Sequence, residues 1–541
     1  MPVNDTYLRD GDVGFIGLNS RDNPVALPKG YVSKSLNFRL DRGVATVRKG
    51  LKRKTTGAII NQTIYGTGSY LDTTGQEVAI IVVTNGLYTY NFESELLSPK
   101  VNFPSGETIT TLVGCDVVFA VDKVFISRGW SKRPLVWDMG TGAGSIIALP
   151  TSGAGHSFPN CTGLLYYANR LIALGKNHAE TTTARNRDSV SVSNYLDYQN
   201  WDALDTFTFN NGGNDEVVSV CAWTLNEFLV FMRNSVFYVN IGLGRYGYSD
   251  QLGTDSFIKT LVSEIGCSAR KSVVQANGGV FFLSDNGVYF LEPQSVGSNE
   301  SIRLLTIADP ISANIDDVIG RINKQASHKA VATYWNNRYY LAVPLDNSTD
   351  NDTVLVYNFI LKAWESVDTY PIGFDVMNFV LGKKNQKRRL FAFDSDKGIF
   401  MMEELNWDEF TGALGTPILP FYLPATLNEL AFVQNDIDAY LTTRRYIFDT
   451  FSDKRFSSVE VDMVLDAGSQ ISTSVNISNP DVDTVVDTFG SPSSEDFTRR
   501  NPIRKMGTGV QVSFHSNHLR PSIRSTFVYA TSLKKNNTNK K

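Results

Sequence analysis

Hydrophobic and polar positions along this chain recur as one repeating unit. An apolar strand leads through an Asn, Asp or Gly turn to a second, more strongly apolar strand. Another turn follows, then a third strand rich in aromatics. The first turn falls near Gly75 in YLDTTGQEVAIIVV, Asp122 in VVFAVDKVFIS, Asn169 in LLYYANRLIAL and Asn226 in AWTLNEFLVFM. It returns near Asn277 in VVQANGGVFFL, Asn337 in TYWNNRYYLAV and Asn385 in VLGKKNQKRRLFAF, so successive turns lie 47, 47, 57, 51, 60 and 48 residues apart. The second turn reads TNG at 84–86, RNS at 233–235, SDNG at 284–287 and SDKG at 395–398, and elsewhere expands into longer loops. Turns of this type between apolar runs are the strongest short-range hairpin signal.

An antiparallel unit of this length predicts a β-propeller, because one such sheet cannot cover both of its own faces and radial stacking does so while leaving only short edges. Seven turn pairs favour seven blades, with six as the alternative. The segment NFRLDRGVATVRKGLKRK (37–54) alternates enough to supply a closing strand. The helix-permissive stretches are short, notably ISANIDDVIGRINKQA (311–326).

The rhythm stops after Glu404. NWDEFTGALGTPILPFYLP reads as a Pro/Gly-marked connector, and strand-like runs resume near 433. The fold class expected is therefore all-β: a propeller plus a C-terminal small β-sandwich or barrel. Its parts are an N-terminal arm with a possible ring-closing strand (1–55), the propeller (56–405), a connector (406–432), a sandwich-like domain (433–533) and a basic disordered tail (534–541). TVVDTFGSPSSEDFTRRNPIR (484–504) reads as a long exposed loop interrupting the last domain.

Charge changes this picture. The net charge is −4, but residues 1–55 carry +6, residues 499–541 carry +10, and the middle carries −20. Two basic ends flank an acidic body, so the ends are candidates to dock on acidic partner surfaces. Arg499, Arg500, Arg504 and Lys505 are the candidate docking residues, since no acidic residue follows Asp496. The run KKNQKRR (383–389) is expected as a basic rim patch.

Four cysteines, at 115, 161, 221 and 267, sit in apolar strand contexts without a CxxC pair, which predicts buried free thiols and a reducing site of synthesis. Five histidines are scattered. His515 and His518 are close, but at i, i+3 on a strand they point to opposite faces, so no metal site is expected. DNSTDND (346–352) reads as a solvated acidic loop, and GLGRYG (242–247) opens no helix, so it makes no phosphate site. GxSxG, HExxH and Walker-type motifs are absent. Neither an enzyme nor a cofactor is expected. No stretch approaches eighteen consecutive apolar residues, so no membrane-spanning helix is expected, and the polar, acidic N-terminus is unlike a secretory signal.

Several segments, taken in order, resemble the propeller proteins of podophage tails, the nozzle or tail-hub class. The opening GLNSRDNPVALPKGYVSKSLNFRLDRGVATVRKGLKRK is one. VSNYLDYQNW, VVSVCAWTLNEFLVFMRNSVFYVNIG and SEIGCSARKSVVQANGGVFFLSDNGVYFLE follow, then NRYYLAV and VLVYNFILKAWESVD. These motifs are structural, so the resemblance implies an architecture and an assembly role with no active-site residues. It implies a homo-oligomeric ring, sixfold in relatives, contacting adaptor and fibre proteins. Genomic DNA would pass through it without sequence-specific binding. The implied location is the virion tail, assembled in the host bacterial cytoplasm. The competing expectation is a carbohydrate-binding or carbohydrate-degrading propeller, such as a receptor-binding tail protein.

Overall fold

The computed structural model describes residues 7–54, 62–110, 114–140, 144–149, 158–175, 187–201, 205–209, 215–224, 226–241, 257–295, 303–306, 310–394, 398–410, 433–477, 484–490 and 495–532. Seven antiparallel units of four strands in simple up-and-down order make the blades of a propeller, with a fifth short strand, Val101–Asn102, added to blade 1 and blade 6 continuing into a larger sheet. Blades 1 to 5 span 64–102, 117–148, 163–208, 217–263 and 274–306. Blade 6 spans 331–369. Blade 7 takes three strands from 376–405 and its outermost strand, Gly50–Arg53, from the N-terminal region. The first strand of every blade is innermost, and each packs on the next around the ring until blade 7 meets blade 1.

The anticipated turn residues do what the sheet twist demands. All seven first hairpins turn through left-handed backbone, with φ of 77° at Gly75, 52° at Asp122, 58° at Asn169, 61° at Asn226, 49° at Asn277, 60° at Asn337 and 49° at Asn385. Asn and Asp tolerate that region better than other side chains because they bond locally to the backbone. Apolar side chains fill the gaps between blades. Ile64, Ile81 and Tyr90 of blade 1 pack on Phe391 and Phe393 of blade 7, for instance. Each such burial stabilises the ring by about 1.5–3 kcal/mol.

The remaining strands form two sheets packed face to face. One contains Phe38–Asp41, Val44–Val47, Ser522–Ser532, Lys454–Leu465 and Glu495–Gly507 in that order, and Tyr7–Asp12 also pairs with Ser522–Ser532. The other continues blade 6 outward, from Ala363–Thr369 through Tyr31–Leu36, Ala439–Thr443, Gln511–His518 and Gln470–Asn476 to Thr484–Gly490. Phe38, Val47, Val459, Met463 and Val528 of the first sheet share one core with Leu441, Val475, Val512 and Phe514 of the second. That core runs on into Phe281 of blade 5 and Tyr339 of blade 6.

Two expectations are corrected by this arrangement. Over residues 7–53 the N-terminal segment is no arm, because its strands complete the sandwich and then the ring. The stretch 484–504 is no loop, since its described residues form the strands Thr484–Gly490 and Glu495–Gly507. Pro502 is accommodated opposite Ser458, next to a register shift in a strand at the sheet margin, where a missing N–H costs no ladder bond. Of the connector, Asp408–Phe410 pairs with Val433–Asn435, while 411–432 and the tail 534–541 lie outside the described residues.

Two of the N-terminal basic residues, Arg39 and Arg48, are buried against the chain's own carboxylates. Arg39 bridges Asp368 of blade 6 and Glu403 of blade 7, both at 2.5 Å. Arg48 makes a two-point contact with Asp408 at 2.7 and 2.9 Å and also donates to the Thr369 carbonyl and Asn37 Oδ1. Gly50 is needed where it is, because a Cβ there would sit 1.9 Å from the Trp407 carbonyl oxygen. Arg48→Leu leaves the Asp408 carboxylate buried without its counter-charge, which predicts a loss of about 3–5 kcal/mol in urea unfolding. Arg48→Met/Asp408→Leu should recover most of that loss, and equal losses in single and double variants would contradict the pairing.

Candidate functional site: docking surfaces around a plugged axis

The channel along a propeller axis is the first place to look for a site. Here one end is filled by the short 3-10 turn Arg270–Ser272, which precedes the inner strand of blade 5. Arg270 reaches Asp116 at 3.4 Å and donates to the Thr162 carbonyl, at the bases of blades 2 and 3. Lys271 Nζ lies 3.4 Å from the Tyr65 carbonyl of blade 1. Ser219 of blade 4 and Tyr339 of blade 6 donate to the turn's carbonyls from either side, at 3.2 and 2.9 Å. Blades 1 and 2 lie across the ring from blade 5, so these side chains cross the axis. Burial pushes the Lys271 ammonium below its ordinary range. These buried side chains close the axis at this end.

Arg499, Arg500, Arg504 and Lys505 are brought together by the strand Glu495–Gly507, with all four side chains exposed. Antiparallel pairing sets Arg499 opposite Val461, Arg500 opposite Glu460 and Lys505 opposite Phe456. Arg500 Nε donates to Ser458 Oγ at 2.9 Å, and its guanidinium lies 4.3 Å from the centre of the Tyr529 ring. Although no acidic residue follows Asp496 in sequence, Arg500 finds partners on the neighbouring strands. Arg500 is held flat on the sheet by a cation–π contact and a hydrogen bond. Arg504 has φ of 53°, and the register shifts where its strand faces Phe456–Ser458, which turns this part of the basic run away from regular pleating.

The other sequence features resolve into local pairs. In KKNQKRR the turn is Asn385–Gln386. Lys384 contacts Glu95 of blade 1, Arg389 lies 3.4 Å from Glu404, and the Asn385 amide donates to Glu93 at 2.9 Å, so two of the five cations are paired with neighbouring carboxylates. His515 meets Asp438 at 2.5 Å and His518 meets Asp436 at 3.2 Å, each on its own carboxylate. Among the described residues, no group of three or more His, Cys, Asp or Glu is placed to hold a metal. The seven Trp side chains are all buried or half-buried. GLGRYG lies outside the described residues. Among the described residues, no helix is long and apolar enough to cross a membrane.

In DNSTDND, Asp346 pairs with Arg321 at 2.8 Å and Asp350 with Lys329 at 3.3 Å. Asp375 accepts from the Asn351 amide at 2.8 Å. Burial, reinforced by Asp350 and Asp352, pushes its carboxyl up to about 6.

The four thiols are buried and free. Burial pushes those of Cys115, Cys221 and Cys267 up to about 12 and raises that of Cys161 as well.

No family model matches the chain, and no curated protein matches it. Among solved structures it is similar to BBS1N, in a crystal structure of BBS1N in complex with ARL6DN soaked with mercury. Identity is 13%, the match covers 66% of this chain and 98% of that one, and the TM-score is 0.38. The propeller described above rests on its own seven sheets.

Two outcomes follow from these environments. A charged alkylating reagent should leave all four cysteines unmodified until the protein unfolds, because a thiol held near 12 presents almost no thiolate at neutral pH. Rapid native labelling of Cys115 or Cys221 would contradict the blade packing. Asp375 binds its proton more tightly folded than unfolded, so its contribution to stability is full below about pH 4 and is lost as pH rises through about 6. Asp375→Asn should therefore stabilise by about 1–2 kcal/mol at pH 7.5 and by nothing measurable at pH 4, read by thermal unfolding at both values. An equal effect at the two values would contradict the assignment.

Proposed function

We propose that this chain is a structural component of a bacteriophage virion tail, a nozzle or tail-hub ring forming part of the DNA-ejection conduit. The observation that carries the reading is the ordered series of segments resembling podophage tail propellers, from GLNSRDNPVALPKG near the N-terminus to VLVYNFILKAWESVD in blade 6. On this reading the chain does no catalysis and binds no cofactor. Copies assemble in the host cytoplasm into a ring, sixfold by analogy with relatives, on an adaptor.

The geometry supports a rigid building block. The propeller is closed by a strand from the N-terminal region, its second domain shares the same core, and its axis is plugged. A conduit walled by several copies suits the charge balance too, because an acidic body repels phosphates and avoids the counterion-release attraction that would make DNA stick. The carbohydrate reading is less well supported, since Trp is the side chain sugars most often stack on and every Trp here is buried or half-buried.

Docking through the basic strand gives a direct test. Arg499→Glu/Arg500→Glu should leave the fold intact, at a cost of about 0.5 kcal/mol per surface charge and slightly more where residue 500 faces Glu460. It should nevertheless block incorporation into tails, because like-charge contacts across an interface cost several kcal/mol. Normal incorporation with infectivity retained would overturn the assignment of this strand, and failure to find the wild-type chain in purified tails would overturn the function.

A further inference from the structure

The sandwich carries a recess and a projection of matching chemistry. The recess, a pocket of about 570 Å³, is lined by Arg9, Lys29 and Arg42 together with Val13, Ile16 and Leu361. Val13 is 85% exposed and Ile16 41%, an unusual outlay of aliphatic surface beside three cations. Backbone forms much of the wall, because a Cβ on Gly14 would come within 3.2 Å of Gly43 and one on Gly30 within 2.9 Å of Ile16. The one carboxylate in the lining, Asp10, is already held by Arg444 at 2.6 Å. Arg9 lies 3.8 Å over the Phe527 ring, while Lys29 and Arg42 make no side-chain hydrogen bond or ion pair among the described residues. The recess is therefore positive, apolar-walled and unfilled by any described residue.

The projection is the loop Asp449–Asp453. Phe451 at its tip is 69% exposed and stands between two aspartates with no hydrogen-bond or ion-pair partner among the described residues. The loop is held in shape from below. Buried Lys454 donates to the carbonyls of Thr450, Ser452 (2.8 Å) and Thr508 (3.1 Å), Thr450 N donates to Ile447 O at 3.1 Å, and Phe448 is buried. Such a preformed loop loses little entropy on docking. Both features flank the strand Ser522–Ser532: the recess lies at Phe527, whereas Lys454 pairs with Ser532, about 17 Å further along. The loop leaves beyond that end, so it does not fold back into its own recess.

We propose that the Phe451 loop of one copy seats in the recess of the next, with Phe451 against Val13 and Ile16 and Asp449 and Asp453 facing Lys29, Arg42 and Arg9. A projection and a recess on different parts of one surface make a heterologous contact, which generates a ring where the rotation closes and a filament where it does not. Nucleic acid fits the recess less well, because Arg9 already covers the Phe527 ring and no other aromatic face is offered to a base. The proposal deepens the ring reading but is tested without virions.

The contact is small and hence weak in free solution, so it is best trapped covalently. Val13→Cys/Ser452→Cys under mild oxidation should give a ladder of disulfide-linked multimers, since the four native thiols are buried. Mixing the two single-cysteine proteins should give dimers and nothing larger. Adding Phe451→Ser, or Lys29→Asn/Arg42→Asn, should cut the yield about tenfold or more without lowering the melting temperature. A ladder no stronger than that of an Ile372→Cys/Ser452→Cys control, or one indifferent to those variants, would overturn the proposal. So would quenching of the ladder by a single-stranded oligonucleotide at low salt, which would point to nucleic acid as the occupant. Cross-linking as expected by a chain missing from purified tails would overturn the tail reading alone.

Discussion

One stretch, Asn37–Lys54, belongs to both domains at once, and the rest of the molecule depends on how its charge is buried. Phe38–Asp41 and Val44–Val47 complete a sandwich sheet, and Gly50–Arg53 forms the outer strand of blade 7. Between them, Arg39 and Arg48 are drawn out of water onto Asp368, Glu403 and Asp408. Burying such pairs contributes little net stability, but leaving one member alone is costly, so the pairing acts mainly to exclude other arrangements. A propeller closed by a distant segment cannot open at that seam without also exposing those charges.

The consequence is a single rigid body. Six of the inter-blade apolar clusters are local, while the one between blades 5 and 6 merges with the sandwich core through Phe281, Tyr339, Leu441 and Phe514. Motion between the two domains would break that core and the sheet that runs from blade 6 into the sandwich. With the axis plugged by Arg270 and Lys271, what such a body offers others lies on its outside: a basic strand, a cationic recess and an acidic loop bearing Phe451. That inventory suits a part made to be stacked against copies and neighbours.

The blades were legible in the sequence because each first hairpin needs left-handed backbone, and Gly75 and then Asn or Asp mark that need every 47 to 60 residues. The candidate surfaces were harder to read. Nothing local in NFRLDRGVATVRKG says that Arg39 will meet Asp368, hundreds of residues later, so buried cations looked like exposed ones. Pro502 mimics a loop residue, although a strand at the sheet margin tolerates it. Pairing of Tyr7–Asp12 with Ser522–Ser532 joins opposite ends of the chain, where no periodicity carries a signal. The axial turn SARKS reads as an ordinary connection until the ring brings Asp116, Thr162 and Tyr65 around it.

The most direct test of this account is amide hydrogen exchange on the intact chain. The account predicts that Gly50–Arg53 and Phe38–Val47 exchange as slowly as the second strands of the blades, with blade 7 and the sandwich opening together. Fast exchange across Gly50–Arg53 while the blades stay protected would contradict it.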